Sequence, residues 1–298
     1  MLTFTSSRNL YGDLTNDSTS GNLTNGDLYI NEGVRKLVGK RAWPFMEKSA
    51  TTTTTASTQF YALPYDYLEL IDVYVTVGTT NYTPQEAPSA DFWDRLNYTT
   101  SYTSAFPVWY YIFNGQIGFW PTPSTTSNVI TLRFKRQVKD LNTADITSST
   151  ITTLANAGTA LTVNAGLTVQ MAGFWIRPTF STTANTGDGR WYEIASVTNS
   201  TTATLARAYG GVSIAAGTAA CTIGQVSVLP ENYQILPIYE AVEQYYRKEG
   251  EFAAAELYAR KYAELLEQME NEWSSKTTSK VALDNMPDVI NPNLVYSF

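Results

Sequence analysis

The 298-residue chain contains no histidine and a single cysteine. Without histidine it lacks the commonest general base near neutral pH, the Ser–His and Cys–His nucleophile pairs, and every His-containing metal site. Cys221 alone forms neither an internal disulfide nor a cysteine-cluster metal site. Its small-residue surroundings, GTAACTIG, read as those of a buried thiol. No apolar run approaches the ~20 residues that a membrane span requires. The opening MLTFTSSRNLYGDL has neither a basic start nor an apolar block, so folding in the cytoplasm where it is made is expected. Basic residues are outnumbered too: 20 Lys and Arg against 27 Asp and Glu give a net charge of −7. Such a chain does not neutralise phosphates, which argues against tight wrapping of DNA or RNA.

What is present points to a folded α+β chain. Hydrophobic residues make up 43% and charged residues 16%, and the length suits one large or two ordinary domains. Residues 1–23 are polar, with Gly, Asn and Ser punctuation, and read as a flexible N-terminal arm. Residues 24–141 read as a helix followed by an antiparallel β-meander. Leu23, Ile30, Val34, Leu37 and Val38 keep helical spacing, Gly39 marks the end, and Pro44 in RAWPF prevents continuation. The Thr51–Thr55 run reads as a loop or hairpin tip. VWYYIF-NG-QIGFW predicts a hairpin whose Asn114 and Gly115 form a type I′ turn. The following strand, NVITLRFKR, is expected to pair with Ile117–Trp120. It puts Arg133 and Lys135 on one face, able to meet DNA, an acidic neighbour or simply solvent.

Residues 142–228 change composition, becoming rich in Thr, Ala, Gly and Ser, with short alternating runs separated by turn residues. This pattern predicts an inserted small β-sandwich or barrel. Its TGDGR piece at 186–190 reads as a hairpin turn, since a phosphate loop needs a GK[ST] ending and a following helix. Residues 229–274 predict a helix pair that packs with the first part. Pro237 suits a first helical position, and Gly250 separates the two helices. In the second, Ala254, Tyr258, Tyr262, Leu265, Met269 and Trp273 form one stripe. With Tyr245 and Tyr246 of the first, this stripe is the candidate helix-packing or subunit interface. Glu256, Glu264, Glu267 and Glu270 lie on the other side. Residues 275–298 have two prolines and no helical period, and end in Leu294, Val295, Tyr296 and Phe298. They read as an extended docking arm.

Two chemical readings compete with an assembly role. Asp66, Glu69 and Asp72 in FYALPYDYLELIDVYV could serve as the paired carboxylates of a glycoside hydrolase, with Asp66 and Asp72 on one strand face. The plainer alternative is a strand with solvated acids. The 7 Trp and 20 Tyr would suit a carbohydrate-binding tail module, yet they are spread over every segment instead of clustered. Asp91 and Asp94 are too few oxygen ligands for a hard metal. No catalytic constellation emerges, and no cofactor is implied.

The order of parts is informative. A helix leads into RAWPF, then come a Thr-rich hairpin, YALPYDYLELIDVYV and YYIFNGQIGFWP. After the β insert follow LPENYQILP and KEGEFAAAELYARKYAELL. This order resembles the head-to-tail connector adaptor (head-completion) proteins of tailed bacteriophages, over roughly residues 24–138 and 228–273. The resemblance implies a non-enzymatic virion protein at the neck of the capsid. It implies a dodecameric ring beneath the portal protein, joined to tail or nozzle proteins, with genomic DNA passing through unspecifically and no membrane contact. Carried onto this chain, the portal-docking arm comprises Val289, Ile290, Leu294, Val295, Tyr296 and Phe298. The helices at 237–248 and 251–273 would form the ring wall. The four glutamates would then be candidate channel-facing acids, where like-charge repulsion keeps DNA sliding, the alternative being an ordinary solvated outer face.

Overall fold

In the computed structural model, residues 1–98, 102–180, 187–215 and 219–273 are described. The chain opens with α1 (Phe4–Thr15), where a flexible arm was expected. Phe4, Ser7, Tyr11 and Thr15 recur at helical spacing and are all buried, but half of this stripe is hydroxylic, which hides it from a hydropathy reading. Thr3 caps the helix by accepting from the Ser6 amide, and Asn16 ends it in the left-handed region at φ 52°. α2 (Ser20–Gly39) starts earlier than its apolar period suggests, because Thr19 is the N-cap. α1 lies on α2 through Gly26: a Cβ there would fall 2.4 Å from the Tyr11 ring.

Next come β1 (Glu47–Thr53), β2 (Phe60–Ala62), β3 (Tyr67–Val77), β4 (Thr80–Tyr82) and β5 (Gln85–Glu86). The helix α3 (Ala90–Tyr98) separates these from β6 (Thr103–Ser104), β7 (Trp109–Phe113), β8 (Gln116–Trp120), β9 (Thr122–Pro123) and β10 (Val129–Arg136). The Thr-rich stretch is thus mostly strand, not a hairpin tip. β7 and β8 form the expected hairpin, with Asn114 and Gly115 at φ 49° and 71°. β10 does not extend that hairpin as a meander. It joins β1 and β3 in a second sheet, ordered β1-β10-β3-β4, while the hairpin sits in β2-β8-β7-β5. The reason lies in its inner face: Ile130, Leu132 and Phe134 share one core with Val73, Val75, Ile117 and Phe119. The two sheets therefore face each other across that core, which a single meander would leave open to water.

The remaining strands are β11 (Thr150–Leu154), β12 (Ala160–Val163), β13 (Trp175–Pro178), β14 (Tyr192–Val197), β15 (Thr202–Leu205) and β16 (Ala219–Gly224). They close into a barrel in the order β11-β12-β15-β14-β13-β16. Its core, from Ile151 to Ile223, draws on no residue outside the barrel segment. Chain entry and exit lie side by side, Ile146 and Ile223 exchanging two main-chain hydrogen bonds.

α4 (Leu236–Glu249) and α5 (Phe252–Trp273) end the described chain. Pro237 sits in the first turn of α4, and Gly250 closes it at φ 83°. α4 packs on α2 closely: a Cβ on Gly33 would meet Pro237 at 3.2 Å. The helical part is thus assembled from both ends of the described chain, with the sheets and the barrel between them in sequence.

Candidate functional site

A chain of tyrosines runs through the helical part. Tyr11 of α1 meets Tyr245 edge-on at 6.4 Å; Tyr245 meets Tyr246 at 5.3 Å; Tyr246 stacks on Tyr258 of α5 at 5.8 Å. Each such pair adds about 0.5–1.5 kcal/mol beyond its buried area. Tyr11 donates to Asn22 Oδ1 at 2.9 Å, and Tyr246 donates to the Leu14 carbonyl at 2.9 Å, so the seam is polar as well as aromatic. Burial holds the Tyr11 hydroxyl well above its ordinary range, and Tyr262 is pushed up to about 12 for the same reason.

The second half of the α5 stripe packs elsewhere. Tyr262, Leu265, Met269 and Trp273 join Leu37, Trp43, Met46, Leu229 and Leu236. Trp43 stacks on Phe45, whose ring meets Trp273 edge-on at 5.6 Å. The Trp43 indole donates to the Leu37 carbonyl at 2.8 Å. All seven residues of the sequence-predicted interface, Tyr245, Tyr246, Tyr258, Tyr262, Leu265, Met269 and Trp273, therefore take part in packing within this chain.

The acids face away from that packing. Glu256, Glu264 and Glu267 are exposed. Glu256 pairs with Arg260 at 2.6 Å, which holds its carboxyl below the usual range. Glu270 differs, reaching Lys40 beyond the end of α2 at 2.9 Å. Six glutamates against Arg260 and Lys261 leave residues 251–273 at −6 + 2 = −4. Phe252 and Leu257 are also exposed on α5, at 71% and 51%.

A cleft of about 760 Å³ opens where the helical part, the sheets and the barrel meet. Lys48 bridges the two β parts, bonding Asp66 of the sheet part at 3.1 Å and Glu193 of the barrel at 2.7 Å, and both carboxylates line the cleft. Tyr65 donates to Glu193 at 3.3 Å, and Lys139 lies 4.3 Å over its ring. Burial beside Asp66 and Glu193 raises the Tyr65 hydroxyl. Tyr65 presses so closely on Gly173 that a Cβ would lie 2.2 Å from its hydroxyl, at a backbone φ of 86° that itself favours glycine. Arg136 donates to the carbonyls of Phe45 and Val228, tying the α2–β1 link and the barrel–α4 link to the sheet.

The other sequence candidates separate. Asp66 is not a solvated strand acid: it precedes β3, is 5% exposed and belongs to the Lys48 cluster. Asp72 lies opposite Arg133 in the β10–β3 ladder, and two register shifts break the period that was to align the pair. Arg133 and Lys135 face Glu47, Glu69 and Asp72 across both strand pairings, so the basic face meets acidic neighbours inside its own sheet. Asp91 is engaged by Arg95 at 2.7 Å, and no cluster of three metal-ligating side chains exists among the described residues. Cys221 is buried in the barrel, and its thiol is pushed up to about 12. In the barrel, Tyr192 and Tyr209 are consumed by its core. The docking-arm residues Val289, Ile290, Leu294, Val295, Tyr296 and Phe298 lie outside the described residues.

Sequence reading missed the Lys48–Asp66–Glu193 junction. The partner glutamate stands 145 residues from Lys48, beyond any local pattern.

These features are packed seams, an exposed acidic face and a salt-bridged junction. The family model described as SU10 adaptor protein matches residues 3–160, more than half of the chain, and the chain belongs to that family of phage adaptors. The match takes in α1, α2, both four-stranded sheets and the first barrel strand, β11, and ends before the α4–α5 pair. No curated protein matches the chain.

Proposed function

We propose that the protein is a head-to-tail connector adaptor, forming a dodecameric ring beneath the portal and joining it to tail or nozzle proteins. Membership of the phage adaptor family carries this reading. In it, the helical part forms the ring wall, because α4 and α5 are braced by the N-terminal helices and α5 has Glu256, Leu257, Glu264 and Glu267 exposed. Closed homo-oligomers of this kind need a heterologous, repeating contact. The exposed apolar side chains Phe252 and Leu257 offer part of one. The acidic face of Glu256, Glu264 and Glu267 lines the DNA channel, where repulsion prevents sticking; Glu270 contributes less, since Lys40 neutralises it. The arm from Val289 to Phe298 engages the portal.

Removing residues 289–298 tests the arm. The expected product keeps its helical circular dichroism and no longer sediments with portal-bearing capsids; retained binding refutes the assignment. Changing Glu256, Glu264 and Glu267 together to Gln tests the channel, with slowed DNA ejection expected and unchanged ejection contradicting it.

A further inference from the structure

We propose that the barrel carries a docking patch, Arg177, Arg190, Trp191 and Arg207, that receives the acidic α4–α5 elbow of a second copy. The proposal rests on the ring reading above and names the head-to-tail contact which that reading requires. Segment 142–228 holds three acids and three arginines, and the two sets are used differently. Each acid is engaged within the chain: Asp145 accepts from the Thr3 hydroxyl at 2.6 Å, Asp188 from the Tyr192 hydroxyl at 2.5 Å, and Glu193 from Lys48 at 2.7 Å. Arg177, Arg190 and Arg207 are all exposed and form no ion pair among the described residues. They gather at one residue. The Arg177 guanidinium lies 5.7 Å from the Trp191 ring centroid, Arg207 donates to the Trp191 carbonyl at 2.7 Å, and Arg190 precedes Trp191 in the chain. In a chain of net charge −7, cations left without a carboxylate suit an acidic partner, and Arg and Trp are the side chains that dominate such contacts.

The complementary surface is on the same chain. Glu249 and Glu251 flank Gly250 at the elbow, are exposed, and form no ion pair among the described residues. Glu249 ends α4, where the helix dipole opposes a negative charge. Beside them Phe252 is 71% exposed, a ring open to guanidinium groups. Opposite charge on the two surfaces favours their encounter and fixes their register. Distance assigns the elbow to another copy. At the start of α1, Thr3 bonds the barrel segment through Asp145; near its end, the Leu14 carbonyl accepts from Tyr246, close to the elbow. The 12 residues of α1, at 1.5 Å each, set these ends about 18 Å apart. Arg177 pairs with Thr222, two positions further from the barrel exit than Trp175 and Gly224. The two patches of one chain therefore do not close on each other. Each is open to a neighbour, one at either end of the molecule, as a repeating head-to-tail contact needs.

The test is a charge swap, read as the amount of chain bound per vertex when the protein is mixed with portal-bearing capsids. Arg177→Glu with Arg207→Glu makes both surfaces acidic; Glu249→Arg with Glu251→Arg makes both basic. Each variant alone should assemble at least tenfold less than the wild type. An equal mixture of the two should restore the ring, because every contact then joins opposite charges, a rescue that damage to the fold would not give. Rings formed by either variant alone overturn the contact and leave the ring reading standing. A mixture that stays unassembled, with both variants helical by circular dichroism and Cys221 still unreactive, overturns the choice of the elbow and with it the proposal. A wild-type chain that forms no ring removes the reading on which the contact rests. Should Arg207→Glu expose Cys221, Arg190→Glu takes its place, since the Arg190 side chain makes no hydrogen bond or ion pair among the described residues.

Discussion

The barrel and the helical part solve the same burial problem in opposite ways. The barrel draws its entire core from one continuous stretch, Ile151 to Ile223, and enters and leaves through adjacent strands at Ile146 and Ile223. The helical part joins α1 and α2 to α4 and α5 across nearly 200 residues, and it needs both ends of the described chain to exist. The barrel is mostly aliphatic inside, with Phe174, Tyr192 and Tyr209 among its core residues, and it is closed, leaving no strand edge to pair with a neighbour. The helical seam is built from tyrosines, of which Tyr11 and Tyr246 donate to Asn22 and to the Leu14 carbonyl. The barrel core needs no residue from the rest of the chain, whereas the helical core exists only where both ends of the described chain meet. The Lys48–Asp66–Glu193 cluster is where the barrel is fastened on.

If the two regions are separate folding units, damage to one should spare the other. Trp43→Ala removes a side chain 2% exposed at the centre of the helical core, at an expected cost of about 3–5 kcal/mol. Helical circular dichroism should melt earlier, while Cys221, inside the barrel, stays equally unreactive to a thiol reagent. Equal loss of Cys221 protection would make the two regions one cooperative unit.

A pH titration attacks from the barrel side. The Cys221 thiol, at 9.0 when free, is pushed up to about 12 by burial. The folded state therefore disfavours the thiolate. Its stabilisation is complete below pH 9.0 and is lost as pH rises toward about 12, by up to about 4 kcal/mol at 1.36 per unit. Cys221→Ala should make the alkaline loss of barrel stability shallower. An unchanged slope would place the alkaline transition in the tyrosines instead.

Two glycines in α2 give a smaller, sharper contrast. Gly26→Ala drives a methyl into the Tyr11 ring and should cost about 1–3 kcal/mol. Gly21→Ala, with nothing within 4 Å, should be neutral or stabilise by about 0.5–1 kcal/mol. Equal thermal shifts would contradict the α1–α2 packing. The smallest effect belongs to the exposed acids: Glu264→Gln and Glu267→Gln should change stability by less than about 0.5 kcal/mol, so any ejection defect they cause is functional.

The same contrast explains what the sequence disclosed. Local signals were legible: the Asn114–Gly115 turn, the α5 period, Pro237 in the first turn and Gly250 at the end of α4. Each is set by backbone chemistry within a few residues. α1 was not legible, because its buried face alternates Phe4 and Tyr11 with Ser7 and Thr15. Nor was the partner of β10, since an inner face of Ile130, Leu132 and Phe134 fits either sheet. Asp66 looked solvated because burial of a carboxylate requires a cation, and Lys48 reaches it only once β1 is paired with β10. The junction cleft depends on contacts across more than a hundred residues and left no local trace.

Light scattering tests the central claim most directly, on the 33.0 kDa chain alone and then mixed with portal-bearing capsids. The adaptor account predicts a stoichiometric ring of copies on the capsid vertex. A chain that leaves the capsids unchanged in mass would contradict it.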